Sequence, residues 1–337
     1  MMGVIRPLTR LAKKVVPLGV VLLYHRVADL ETDPQLLAVS PSNFAEHLEV
    51  LRRRYRPVRL GELCHRTFTS PPRSRLIALT FDDGYSDNLH RALPLLLAAA
   101  IPATVFVTAG QVGRREEFWW HEVDRILLGT PDLPERLDVT LGSKSHSWCL
   151  QSARDQLDPH WHVLSGQPRS PRQTAYRELC DLLRPLSAEE RDGVLRRLRT
   201  WAGVDAAGRA QNRALTAREV VALASRGLVE VGAHTMTHPV LAAQPVAVQR
   251  REIEASKSRL EGILRAPVRG FSYPFGLRSD YTADTVRLVR EAGFAYACSN
   301  FPGKVHSGTH RYEIPRFLVR DWSGDEFARR LEALFNA

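Results

Sequence analysis

No stretch of this 337-residue chain is apolar for eighteen or more consecutive positions, which argues against a membrane-spanning helix. Cysteine is scarce. Cys64, Cys149, Cys180 and Cys298 lie far apart, with no Cys-x-x-Cys among them. That excludes a disulfide framework or a structural zinc cluster, and the four read as small core residues of a reducing compartment. Zinc-finger spacing, an RNP-like aromatic motif and an evident helix-turn-helix are missing too, so no nucleic-acid partner is expected. The formal net charge of +10 therefore needs another account. It comes largely from arginine, as in Arg52-Arg53-Arg54, Arg56 and Arg59. Such a surface suits an acidic polysaccharide, a lipid-linked phosphate or a membrane face, or is simply an arginine-rich solvated exterior.

The N-terminus lacks a small-x-small cleavage site. Arg6, Arg10, Lys13 and Lys14 precede an apolar stretch at residues 15–24, which mimics a signal peptide, but Pro17 and Gly19 interrupt it and it runs directly into Tyr24-His25. We expect a cytoplasmic protein whose basic segment, residues 1–16, is a short helix, either solvated or in peripheral contact with a membrane. With 44% hydrophobic content, the chain can fill one large barrel or two ordinary domains.

What is present is a pair of short segments, Thr80-Phe81-Asp82-Asp83-Gly84 and His234-Thr235-Met236-Thr237-His238. Alone, Asp-Asp-Gly reads as a turn and His-x-x-x-His as surface or packed histidines. Context raises both. Ile77-Ala78-Leu79-Thr80-Phe81 and Leu228-Val229-Glu230-Val231-Gly232 are runs of the buried-strand type that end at these residues, and strand ends are where α/β proteins place chemistry. On one side of a helical turn, two imidazoles can face a single cation, and a carboxylate from the other segment completes three ligands. Of two adjacent carboxylates one normally ligates; the other can take a proton from water that the cation polarises.

Strands and helices alternate. Helices are expected after Ser42 as cap, over residues 85–100 with a kink at Pro94, and over 246–264 and 283–292; further strands are expected at 103–107, 268–273 and 294–298. This order is that of a parallel barrel or sheet. Between residues 111 and 213 the rhythm breaks. A helix starts at Phe118-Trp119-Trp120, a polar stretch follows, and helices at 175–186 and from the capping box Ser187-Ala188-Glu189-Glu190 to 201 complete a mostly helical insertion. Its aromatics read either as core or as a platform for sugar rings.

These motifs, with Phe271-Ser272-Tyr273-Pro274-Phe275-Gly276 as a third, resemble the polysaccharide deacetylases, the NodB-homology carbohydrate esterases, over residues 21–321. The resemblance implies a distorted (β/α) barrel, formed here by residues 17–110 and 214–337 around the insertion. It also implies metal-dependent removal of N-acetyl, less often O-acetyl, groups from a saccharide. By position, Asp83, His234 and His238 would hold one divalent metal, Zn²⁺ first, with Co²⁺, Ni²⁺ or Mn²⁺ as substitutes. Asp82 would be the base, and the turn Tyr273-Pro274-Phe275-Gly276 would meet the substrate, with the Phe275 N–H in the oxyanion hole. Besides the long insertion, two further departures stand out. Many members carry an Arg two residues before the motif-three Pro, where this chain has Ser272, and a late His as general acid, where Ile314-Pro315-Arg316-Phe317-Leu318-Val319 has none. His25, at the end of an early strand, resembles the acid of members that take it from there; otherwise it is a hydrogen-bonded histidine at a strand terminus. An amidase on a non-sugar acyl amide and a barrel that binds an anionic glycan without turnover remain as alternatives.

Overall fold

The computed structural model describes residues 17–65, 75–150, 158 and 160–336, so the basic segment at residues 1–16 lies outside the described residues. Leu76–Phe81 and Ala103–Val107 are buried at every position, as befits parallel strands covered on both faces. They sit in a nine-stranded sheet whose main path runs Tyr296–Cys298, Gly270–Ser272, Val229–Ala233, Ala103–Val107, Leu76–Phe81, Pro17–Tyr24, Val305–His306. From Tyr296–Cys298 to Pro17–Tyr24 every neighbouring pair is parallel. The sheet curls, and one segment joins its ends: Ile314 bridges Cys298, and Phe317–Leu318 pairs with Leu22 and Leu23. The result is a distorted (β/α) barrel of the expected type. Its closing segment is the one that the sequence marks only by a missing histidine.

The helices around it follow local rules. Pro41–Arg54 is capped by Ser40, whose Oγ accepts from the Asn43 N–H at 3.3 Å. The cap is thus two residues earlier than expected, because Pro41 is suited to the first helical position, where no N–H is needed. Residues 85–100 are split: a π-turn at Asn88–Ala92 leads into Leu93–Ala99, which carries Pro94 in its first turn.

The insertion has its own core, in which Trp120, Val123, Tyr176 and Leu198 are buried. The helices Trp119–Leu127, Pro171–Leu183 and Ala188–Ala202 match the expected ones closely, and the capping box of Ser187 and Glu190 forms. The polar stretch is not all loop. Arg136–Leu141 and Lys144–Cys149 pair as an antiparallel hairpin around Gly142. In its first strand Leu137 and Val139 face inward, but in the second only Trp148 does, so the alternation that announces a strand is half erased. Cys149 is exposed, contrary to its expected place in the core.

Candidate active site

Both acids leave the C-terminal end of Leu76–Phe81, and the barrel register fixes what stands beside them. Tyr24 is paired with Phe81, and the Asp82 N–H donates to the Tyr24 carbonyl at 3.0 Å, so His25 follows its strand where Asp82 follows the neighbouring one. Asp83 and Gly84 turn sharply, with φ of 73° and 80°. A Cβ on Gly84 would lie 3.0 Å from Val107, so the turn requires glycine there.

The segment His234–His238 is not a helical turn. It is an irregular loop in which Thr235 and His238 are left-handed, at φ 63° and 57°. Glu252 holds the loop by accepting from the Met236 and Thr237 N–H groups at 2.8 and 2.9 Å and from Thr237 Oγ1 at 2.7 Å. The two imidazoles meet for a different reason than spacing on a helix: this backbone folds back on itself and leaves their ring centroids 4.9 Å apart.

Nε2 of His234 lies 3.5 Å and Nε2 of His238 lies 3.4 Å from Asp83 Oδ1, and one ligand atom from each of the three residues falls within 4.8 Å of the others. The set fits a metal ion in three respects. His234 Nδ1 lies 2.8 Å from the Ser272 carbonyl, so it carries the proton and leaves Nε2 free as a ligand. Burial pushes both imidazoles down, His238 to about 3, and holds them in the neutral form that metals bind. Burial pushes the Asp83 carboxyl up, only partly offset by His25 and His234, a deficit of positive charge that a cation would make good.

Asp82 is placed otherwise. Arg316 grips it with Nη1 on Oδ1 and Nη2 on Oδ2, both at 2.7 Å, while Ser272 Oγ donates to Oδ2 at 3.1 Å. Burial alone would raise the Asp82 carboxyl; the Arg316 charge, with His234 behind it, outweighs that and holds it far below the usual carboxylate range. Arg316 is the functional residue that sequence reasoning passed over. It comes from the barrel-closing segment, is 1% exposed, and has further bonds to the Ser299 carbonyl at 2.7 Å and Ser272 Oγ at 2.8 Å. Although Ser272 stands where many members carry an arginine, Asp82 therefore has a guanidinium partner, delivered by another segment. A single arginine inside the apolar run 314–319 was the available signal.

These residues open into one cavity of about 500 Å³, lined by Asp82, Asp83, His234, His238, His25 and Phe275 among others. His25 is carried on a rigid base, since Asn88 Nδ2 donates to its carbonyl at 2.9 Å and the neighbouring Arg26 is locked to Asp87 at 2.9 Å. Burial lowers its pKa, partly offset by Asp83 and Asp82. Of the motif-three turn only Phe275 lines the cavity. Tyr273 is buried in the barrel, its hydroxyl donating to the Tyr312 carbonyl at 2.9 Å, and Gly276 leaves room for Asn300, whose backbone N lies 2.8 Å from where a Cβ would stand. Phe275 itself is left-handed, at φ 59°, and its N–H donates to no partner among the described residues. Trp120 meets His238 edge-on at 4.9 Å and is 6% exposed, a wall of the ligand site more than an open platform.

A family profile described as polysaccharide deacetylase matches residues 69–154 and 203–297, together more than half of the chain. His25 and Arg316 fall outside both stretches. No curated protein matches the chain. Among solved structures it is similar to IcaB from Ammonifex degensii, with 19% identity, a TM-score of 0.59 and coverage of 94% of this chain and 97% of that one. It is also similar to the Streptococcus pyogenes deacetylase PplD in complex with acetate, with 15% identity, a TM-score of 0.57 and coverage of 94% and 98%. A third likeness is to the putative polysaccharide deacetylase BA0330 from Bacillus anthracis, with 17% identity, a TM-score of 0.56 and coverage of 94% and 69%. At these identities the likeness is one of fold.

Proposed function

The chain belongs to the polysaccharide deacetylase family, and from that premise we propose that it removes N-acetyl groups from a saccharide in a metal-dependent hydrolysis, releasing acetate and a free amine. The observation that carries the reading is the convergence of Asp83, His234 and His238 on one point beside an arginine-held Asp82. Asp83 and the two Nε2 atoms would hold a divalent cation, Zn²⁺ first among candidates given two imidazoles and a carboxylate. When bound, the cation would polarise the acetyl carbonyl and acidify water.

The rest falls to the chain itself. Asp82, kept ionised by Arg316, takes the proton from the attacking water. The free N–H of Phe275 donates to the oxygen on which negative charge develops, a contact that strengthens towards the transition state. His25 gives a proton to the departing amine nitrogen. Its lowered pKa makes the imidazolium scarcer but a stronger acid.

The cavity mouth bears on the substrate. Leu164 and Leu277 border it at 67% and 48% exposure, and Arg177 and Arg320 line it with guanidiniums bonded to backbone carbonyls. An apolar rim beside arginines suits a sugar joined to lipid through phosphate better than a long neutral polymer. We propose a lipid-linked sugar, met at the cytoplasmic face of a membrane, as the substrate.

The deciding experiment is acetate release by metal-loaded protein from a panel of N-acetylated saccharides and glycolipids, set beside non-sugar acyl amides. Turnover of the amides alone would replace the saccharide reading. His234→Ala, His238→Ala and Asp83→Ala are each expected to lose bound metal by elemental analysis. Stoichiometric metal in all three would overturn the ligand assignment. His25→Gln is expected to keep metal and to depress hydrolysis of N-acetyl amides far more than of activated acetate esters, whose leaving groups need no proton. Equal losses on both substrates, with metal gone, would make His25 a ligand or its support instead.

A further inference from the structure

The two ligand histidines are oriented by different means. The His234 ring is fixed by its own hydrogen bond to the Ser272 carbonyl at 2.8 Å. His238 has no such anchor: its Nδ1 is buried without a hydrogen-bond partner, and the ring is held by packing against Trp120, Phe275 and His234, at centroid distances of 4.9, 4.8 and 4.9 Å. The aim of its Nε2 therefore depends on the backbone beneath it. That backbone is strained, because His238 lies at φ 57°, where a residue with a Cβ is disfavoured.

A rotation of the peptide unit between Thr237 and His238 would relieve this strain and turn the imidazole away. Both ends of that unit are pinned. Its N–H donates to Thr235 Oγ1 at 3.1 Å, and its carbonyl accepts from Arg191 Nη2 at 2.7 Å. The first pin is local to the loop. The second comes from the insertion helix Ala188–Ala202, and Arg191 is 3% exposed, with its guanidinium 5.5 Å from the Trp119 ring centre. The preceding carbonyls of the loop, on Thr235 and Met236, are bonded by the N–H groups of Ala109 and Gly110 at 2.9 Å each. The Thr237 carbonyl is thus bonded by the insertion, while Glu252 of the barrel holds the same residue's N–H and hydroxyl.

We propose that Arg191 is a positioning residue for the metal centre: through the Thr237 carbonyl it blocks the peptide rotation that would swing His238 out of the ligand set. The proposal rests on the metal reading given above. Arg191 thereby acts on the active site without contact to substrate or metal.

The test is the affinity of metal-stripped protein for Zn²⁺, by titration against a competing chelator, with melting followed in parallel. Arg191→Met should weaken Zn²⁺ binding roughly 10–100-fold, the usual effect of losing a group that orients a ligand. Arg191→Lys, which keeps one charged donor, should recover part of it. Arg199→Met serves as the control, since it breaks an ion pair with Glu122 on the same helix and does not touch the loop. It should lower melting and leave Zn²⁺ affinity as it is. If Arg191→Met and Arg191→Lys both melt like the control and bind Zn²⁺ like the unmutated protein, the positioning role is wrong. If the Met variant does not fold, the Lys variant decides alone: unchanged affinity overturns the proposal. Failure of the unmutated protein to bind Zn²⁺ or another divalent cation would instead overturn the metal reading.

Discussion

Asp82→Asn is expected to lower kcat by roughly two to four decades, the usual worth of a general base, while the protein still binds its metal. The side chain is isosteric, so the space beside Asp83 and His234 is unchanged. What changes is the charge and the proton acceptor. In the native site both carboxylate oxygens are taken up by Arg316 at 2.7 Å, and one also accepts from Ser272 Oγ at 3.1 Å. This geometry keeps Asp82 ionised, so its carboxylate is available as a proton acceptor. An amide cannot, and it leaves the buried guanidinium without its counter-charge. Measurement of kcat on the best N-acetylated substrate, together with metal content and melting temperature, separates the two consequences. Near-normal turnover would put the base elsewhere, and loss of metal would mean that Asp82 and Asp83 have exchanged roles.

The parts of this site legible in the sequence are those whose cause is local. Asp82-Asp83-Gly84 is read from a buried-strand run that ends in a turn, and the structure has that strand and that turn. A helix with a capping box, such as Ala188–Ala202, is found where expected. His-x-x-x-His was read correctly as a pair of residues that meet, but by the wrong mechanism. The helical spacing that makes such a pair converge does not operate here; a left-handed loop tied down by Glu252 does. Contacts between distant segments leave no spacing at all. Arg316 and Asp82 are 234 positions apart, and although an arginine inside an apolar run hints at a buried partner, nothing in the sequence says which. The same holds for Arg191 and Thr237, which lie 46 positions apart, one in the insertion and one in the barrel. The hairpin at Arg136–Cys149 was invisible for a third reason. Its second strand, Lys144–Cys149, is largely exposed, so polarity carried no alternation there.

The Arg316–Asp82 pair makes the other large effect, and it tests whether the origin of the guanidinium matters. Arg316→Met is expected to destabilise the fold by about 3–5 kcal/mol, because it strands a carboxylate in a buried site, and to lower kcat by exposing Asp82 to protonation. The methionine can fill part of the volume of the arginine stem, so a melting shift reports mainly the lost charge and hydrogen bonds. Arg316 reaches Asp82 from the barrel-closing segment, and Ser272 Oγ touches both partners, at 2.8 and 3.1 Å. Position 272 is where many deacetylases of this family, by resemblance, carry the arginine. The double variant Ser272→Arg with Arg316→Met should therefore regain a good part of both stability and kcat, since the vacated space lies directly beside residue 272. The single variant Ser272→Arg should instead be worse than either, because two guanidiniums would compete for one carboxylate in a buried site. Melting curves and kcat for the three variants and the unmutated protein form a complete cycle. Native melting and turnover in Arg316→Met would show that the pair does not control Asp82. A double variant no better than Arg316→Met alone would show that the guanidinium must enter from the closing segment, where the Ser299 carbonyl also holds it at 2.7 Å.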